Sequence, residues 1–190
     1  MSKDRMEAFS DGVIAIIITV MVLELKIPQG ADLAALRPLY PVFLSYVLSF
    51  INLGIYWNNH HHLLQAVERV NGSVLWANLH LLFWLSLLPF ATTWMGENNF
   101  STWPVALYGL DLLLAACAYF LLARGLLSLH GEASTLASAL GGDFKGKISI
   151  VFYIIAIPVA FVNAWIACAV YVLVAAIWLI PDTRIEKRLA

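Results

Sequence analysis

The sequence predicts an all-α, polytopic membrane protein of six transmembrane helices in a single domain, residues 1–190. Three observations carry that prediction. The chain is 62% hydrophobic and only 12% charged, with a mean hydropathy of +0.83, whereas soluble domains carry about 25% charged residues. Apolar runs of helix length recur between short polar breaks. The lysines and arginines fall almost entirely on one side of a six-span chain. At about 20 residues per span, little is left for an extramembrane domain.

The spans follow in order. The first covers residues 6–25 and ends at Lys26-Ile27-Pro28, and the polar segment 29–37 links it to the next. The second covers 38–64, with Pro38 and Pro41 suited to a first helical turn. Asn71-Gly72 marks a turn before the third, 74–95, in which Pro89 predicts a kink. Pro104 follows a helix start at Ser101 or Thr102, opening the fourth span, 103–128. Residues 130–147, with Gly141-Gly142-Asp143, form the longest break. Ile148 to Ile180 is 33 residues without a charge, too long for one span. It divides near Val162-Asn163 into spans 147–162 and 163–180, closed by Pro181-Asp182.

Six spans place both termini on one side of the membrane. Lys3, Arg5, Arg69, Arg124, Lys145, Lys147, Arg184, Lys187 and Arg188 fall on that side, and only Lys26 and Arg37 on the other. This segregation predicts cytoplasmic termini in a multi-pass protein of the cell membrane. Trp57, Trp94, Trp103 and Trp178 lie near predicted span ends, as interfacial tryptophans do. Asn52, Asn78 and Thr92 lie within spans, where they suit helix-to-helix hydrogen bonds. No secretory cleavage site follows the first span, which is expected to remain in the mature protein. Cys117 and Cys168 sit in apolar runs and read as small hydrophobes. A net charge of −1, with no basic run among aromatics, offers nothing to nucleic acid.

Few residues invite chemistry. His60-His61-His62 suggests a metal site, but consecutive helical residues diverge by about 100°, and none of the three has a histidine partner at i±3 or i±4. The alternative is a polar helix end. Asp111 is the one acid deep in an apolar run. Intramembrane acids are costly and mark functional candidates; the other reading is a carboxyl bonded to Asn78 or His80 of a neighbouring span. Asp111 and His80 together would suit a proton-coupled transporter, although no internal repeat supports one. A membrane scaffold without a permeation path is a further alternative. There is no phosphate loop, nucleophile elbow or carboxylate pair, so neither an enzyme nor a cofactor is expected.

The first span is unlike an ordinary anchor because of its head, Arg5-x-x-x-Phe9-Ser10-Asp11. Arg5 and Phe9 share a helix face, while Arg5 and Asp11 lie about 120° apart and suit bonds to neighbouring helices rather than to each other. Ser10 and Asp11 sit near the helix start, where hydroxyls and negative charge are favoured. Ile16, Val20 and Leu23 form one stripe, with Thr19 about 60° to its side. In a uniformly apolar helix that stripe fits a lipid-facing anchor as well as a pore wall.

The head, together with Ile16-x-x-Thr19-Val20-x-x-Leu23, Trp57-x-x-His60-His61 and the segment from Asn78 to Pro89-Phe90, resembles the transmembrane protein 175 family of potassium channels. The likeness is to a bacterial or archaeal member and spans about half the chain. It implies a homotetramer in which the four first helices surround a pore for potassium ions. Ile16, Val20 and Leu23 would form the constriction, and Thr19 would contribute to potassium preference. Val20 departs from the leucine common in the family, which weakens its assignment to that layer. Arg5, Phe9, Ser10 and Asp11 would position the helix, with Trp57, His60 and His61 as partners. No carbonyl filter of the Thr-Val-Gly-Tyr-Gly kind is present, so a dehydrating apolar neck would have to discriminate between ions.

Overall fold

A computed structural model describes residues 2–131, 136–137 and 144–179. These form six α-helices: α1 Lys3–Leu23, α2 Tyr40–Gln65, α3 Gly72–Glu97, α4 Thr102–His130, α5 Phe144–Ala160 and α6 Ala164–Leu179. Pro181-Asp182, the basic residues Arg184, Lys187 and Arg188, and the glycines of Gly141-Gly142-Asp143 lie outside the described residues.

Local chemistry sets the helix ends. The Asn71 side chain accepts a bond from the backbone N–H of Val74 at 3.0 Å, and the Asn163 side chain accepts from Trp165 N–H at 2.9 Å. Each satisfies an orphan donor of a first turn. Gly131 ends α4 at φ +82°, with its N–H on the Leu127 carbonyl. Between α3 and α4 the chain turns through two left-handed residues, Asn99 and Phe100. That conformation costs a bulky side chain, and here Phe100 is buried with its ring 5.1 Å from that of Trp165, tilted by 37°.

Some boundaries differ from those read in the sequence. The polar link before α2 holds a 3-10 helix, Leu33–Leu39, capped by the Asp32 carboxylate on Ala35 N–H. Pro38 therefore belongs to that turn, and α2 opens beside Pro41. Pro89 lies inside α3 without ending it. The 33-residue apolar run breaks at residues 161–163.

Four stretches are long and apolar enough to cross a membrane: Lys3–Leu23, Leu33–Gln65, Gly72–Glu97 and Thr102–His130. At 17 and 16 residues, α5 and α6 span roughly 25 Å each, a little short of a hydrocarbon core of about 30 Å.

The packing has two parts. Helix α1 lies against α2 and α3; behind them α3 packs on α4, and α4 on the α5–α6 hairpin. Buried polar side chains tie these layers where lipid offers no partner. Ser49 Oγ of α2 lies 2.6 Å from Thr92 Oγ1 of α3 and 3.0 Å from Tyr108 Oη of α4. Tyr171 donates from α6 to the Val105 carbonyl of α4, and Trp178 from α6 to Ser149 of α5. At the far end of α1, Lys26 pairs with Glu97 at 2.5 Å. The Glu97 carboxylate bonds the ammonium and holds the Lys26 pKa above its ordinary value of 10.5. The lysine side of this latch therefore stays charged below that value and is lost only as pH rises through the raised one.

Gly96 is where α3 meets α2 backbone to backbone. A Cβ there would sit 2.6 Å from Val42 Cα and 2.5 Å from Ser45 Oγ. Gly96→Ala should therefore lower stability by about 1–3 kcal/mol. Gly125→Ala, whose Cβ would meet only Val74 Cγ2 at 3.8 Å, should be close to neutral. Thermal unfolding of both variants in detergent measures the difference.

Candidate functional site

Helix α1 buries Met6, Ser10, Ile14, Ile17 and Met21, spaced by three or four residues along one face. The opposite face carries Arg5, Phe9, Gly12, Ile16, Thr19 and Leu23, all exposed in the single subunit. Ile16 is 64% and Leu23 75% exposed, while Val20, at the edge of this face, is 39% exposed. Gly12 was not singled out by sequence reasoning. It lies within about 40° of Ile16 on the helix, and a Cβ there would meet nothing within 4 Å.

Thr19 has a particular polarity. Its hydroxyl donates to the Ala15 carbonyl at 2.9 Å. The proton is thus used within the helix, and the oxygen lone pairs are presented on the exposed face, as acceptors.

What holds α1 in this rotation is a buried chain of hydrogen bonds crossing three helices. Ser10 Oγ donates to the Met6 carbonyl at 2.8 Å, so it must accept from Asn78 Nδ2, 2.9 Å away on α3. That orientation turns Asn78 Oδ1 toward His60 Nε2 of α2 at 2.7 Å, and the imidazole is therefore the donor. Ser10, Asn78 and His60 are all at least 97% buried. The His60 pairing with Asn78 replaces any role as a solvated helix end.

A second, more open set of bonds lies on the α2 side. Trp57 Nε1 donates to Asp11 Oδ1 at 3.0 Å, and His61 Nδ1 meets Glu7 Oε1 at 2.9 Å. Gln65 Nε2 reaches His61 Nε2 at 2.8 Å, and the Trp57 and His61 rings stack at 6.1 Å. Glu7 was not named from the sequence, and it sits one helical turn from Asp11, the position that would have flagged it. Of the head motif, Ser10 and Asp11 engage the neighbouring helices. Arg5 and Phe9 do not; among the described residues Arg5 has no hydrogen-bond or ionic partner, and both lie on the free face with Ile16.

The three histidines diverge. His60 points to Asn78 and His61 to Glu7, while His62 Nδ1 is buried with no partner among the described residues. Among those residues no three or more His, Cys, Asp or Glu side chains come together as a metal site. Two expected pairings do not form. Asn78 is committed to Ser10 and His60, and His80 lies exposed on the outer face of α3, accepting from Trp84 Nε1 at 2.9 Å. Asp111 is buried on α4, and neither carboxylate oxygen has a partner among the described residues. The Asp111–His80 couple that a proton-coupled transporter would use is therefore absent.

A profile of the family described as endosomal/lysosomal potassium channel TMEM175 matches residues 5–89, which take in the clasp and the free face of α1. A potassium channel of Chryseobacterium sp. (strain P1-3) is 58% identical over 189 residues, covering 100% of this chain and 98% of that one. The chain belongs to the TMEM175 family. The crystal structure of a lysosomal potassium-selective channel TMEM175 homolog from Chamaesiphon minutus superposes with a TM-score of 0.82 at 25% identity. It covers 93% of this chain and 96% of that one. The endosomal/lysosomal proton channel TMEM175 of Homo sapiens is 35% identical over 103 residues, or 48% of this chain and 20% of that protein. The six-helix TMEM175 fold thus makes this chain a membrane protein, with its family-matched residues concentrated on α1–α3.

Removing the centre of the clasp should be costly. Asn78→Leu leaves the His60 N–H without its acceptor and Ser10 without its donor, each worth about 1–3 kcal/mol when buried. Trp57→Phe breaks a half-exposed bond to Asp11 and should cost less. Unfolding temperatures of the two variants in detergent check the order; equal losses would contradict the clasp.

Proposed function

We propose that the chain is a potassium channel in which four copies place the free face of α1 around a common pore. The observation that carries this reading is that Ile16, Thr19 and Leu23 stay uncovered while the opposite face of the same helix is fully packed. The high identity to a potassium channel along the whole length supports it. Both termini are cytoplasmic and the protein lies in the cell membrane, following the Lys and Arg segregation.

Conduction is passive. A ring of Ile16 side chains forms a narrow, poorly wetted neck, flanked by Leu23 and by Val20 at the edge of the face. An ion passing an apolar neck sheds part of its water. Potassium holds its shell less tightly than sodium, so the neck favours it without strong ligands. Thr19 sharpens the preference, because its lone pairs face the pore once its proton is donated to Ala15. Four such oxygens replace some of the water lost at Ile16.

Potassium flux from loaded proteoliposomes tests this account. Ile16→Asn should wet the neck, raise resting flux and abolish the preference for potassium over sodium. Thr19→Val keeps the size and removes the oxygen. A lost contact of about 1 kcal/mol corresponds to roughly a fivefold fall in preference. Unchanged flux and selectivity in both variants would contradict the pore assignment.

A further inference from the structure

The start of α1 is clasped by Glu7, Ser10 and Asp11, but its far end is packed much less. The last residue that α1 buries is Met21. Beyond it Val22 is 45% and Leu23 75% exposed. The helix then closes, with the N–H groups of Glu24 and Leu25 on the Val20 and Val22 carbonyls, both at 3.2 Å. Burial therefore stops two residues short of Leu23.

Past Glu24 the chain runs between two cavities. One, of about 310 Å³, lies between it and Leu36, Tyr40 and Phe43, at the 3-10 turn and the start of α2. The other, of about 550 Å³, lies between it and Ala34, Ala35 and Pro38 of the same turn. Lys26 and Pro28 line both. Space on either side leaves this segment without the close packing that fixes a protein interior. Among the described residues, no side chain from Glu24 to Ala31 other than Lys26 makes a hydrogen bond or ion pair.

The partner of Lys26 stands on firmer ground. Gly96, just before Glu97, is pressed against Val42 and Ser45 of α2, and Met95 is fully buried. Three residues after Glu97, Phe100 packs on Trp165. A fixed carboxylate therefore holds a suspended ammonium, at 2.5 Å. So exposed a pair adds little to global stability. Its effect is local, on where the chain leaves α1.

We propose that Lys26 and Glu97 are a positioning pair that pins the far end of α1, and with it Leu23, and that parting them loosens the outermost apolar layer of the pore. The pinning lies within one chain, whereas the effect on the pore rests on the four-copy reading.

Charge exchange in the full-length chain tests both. Lys26→Glu and Glu97→Lys each bring like charges together, and the chain carrying both restores the pair with its ends exchanged. Amide hydrogen exchange at Glu24 and Leu25 should be about two- to fivefold faster in each single variant and return toward wild type in the double. Unfolding temperatures should stay within about 2 °C of wild type. Unchanged exchange in the singles, a double as fast as they are, or a lowered unfolding temperature with faster exchange all along α1 would overturn the pinning.

Potassium flux from loaded proteoliposomes should rise about two- to fivefold in each single variant and fall back in the double. Arg37→Glu makes the same change of charge on the same side of the membrane, at an exposed side chain without a partner among the described residues, and should leave flux unchanged. An equal rise in Arg37→Glu, or faster exchange with unchanged flux in the pair variants, would overturn the link to Leu23 while leaving the pore reading standing. A wild-type chain that carries no potassium would sink the pore reading, and the flux effect with it, while amide exchange still decides the pinning.

Discussion

The architecture depends on one buried chain of hydrogen bonds, running from His60 through Asn78 and Ser10 to the Met6 carbonyl. Within a bilayer no water stands ready to replace a missing partner, so a polar side chain inside the helices is satisfied by its neighbours or costs free energy. Each donor in this chain has a single acceptor, and the direction is forced from the backbone carbonyl outward. Rotating α1 by one residue would swing Ser10 away by about 100° and break the chain. The bonds of Asp11 to Trp57 and of Glu7 to His61 impose the same rotation from the other side. The clasp therefore selects which face of an almost uniformly apolar helix is left uncovered.

In the proposed channel that selection links packing to permeation. A helix apolar on every side has no preferred face for lipid, partner or pore, and hydrophobicity cannot aim it. Polar contacts at its first three turns do so, and the remainder of the helix follows as a rigid rod. Ile16, Thr19 and Leu23, the residues proposed to line the pore, are positioned by residues on other faces of the helix. Thr19 adds a local contribution, since its internal bond to Ala15 leaves an oxygen rather than a hydroxyl proton facing outward. The second layer, tied by Ser49, Thr92 and Tyr108 and closed by Gly96 against α2, gives α2 and α3 a fixed backing.

Much of this was legible in the sequence, for reasons specific to each element. The four long helices announce themselves by apolar length between breaks such as Asn71-Gly72, and the division at residues 161–163 follows because 33 residues without a charge exceed one span. The rotation of α1 was not legible, because its stripe of Ile16, Val20 and Leu23 is no more apolar than its other faces. Only the polar head pointed to it, and Asn78, which donates to Ser10, lies 68 residues away in the chain, with His60 bonded behind it. Glu7 escaped notice as an ordinary charge near a terminus, although His61 accounts for it. Asn78 and His80 lie on a neighbouring span and suit a bond to Asp111 by residue type, but Asn78 is saturated by the clasp and His80 faces outward. The left-handed Phe100 had no local signal, and its ring packs against Trp165, 65 residues away in the chain.

The central claim is that α1 presents one face to water along its length and the opposite face to protein. Single cysteines along α1, in the chain lacking Cys117 and Cys168, report this directly through reaction with a membrane-impermeant thiol reagent while potassium flux is followed. Positions 12, 16, 19 and 23 should react and lose flux, while positions 14, 17 and 21 should stay unreactive. Uniform reactivity around the helix, or reaction confined to the positions facing α2 and α3, would contradict the account.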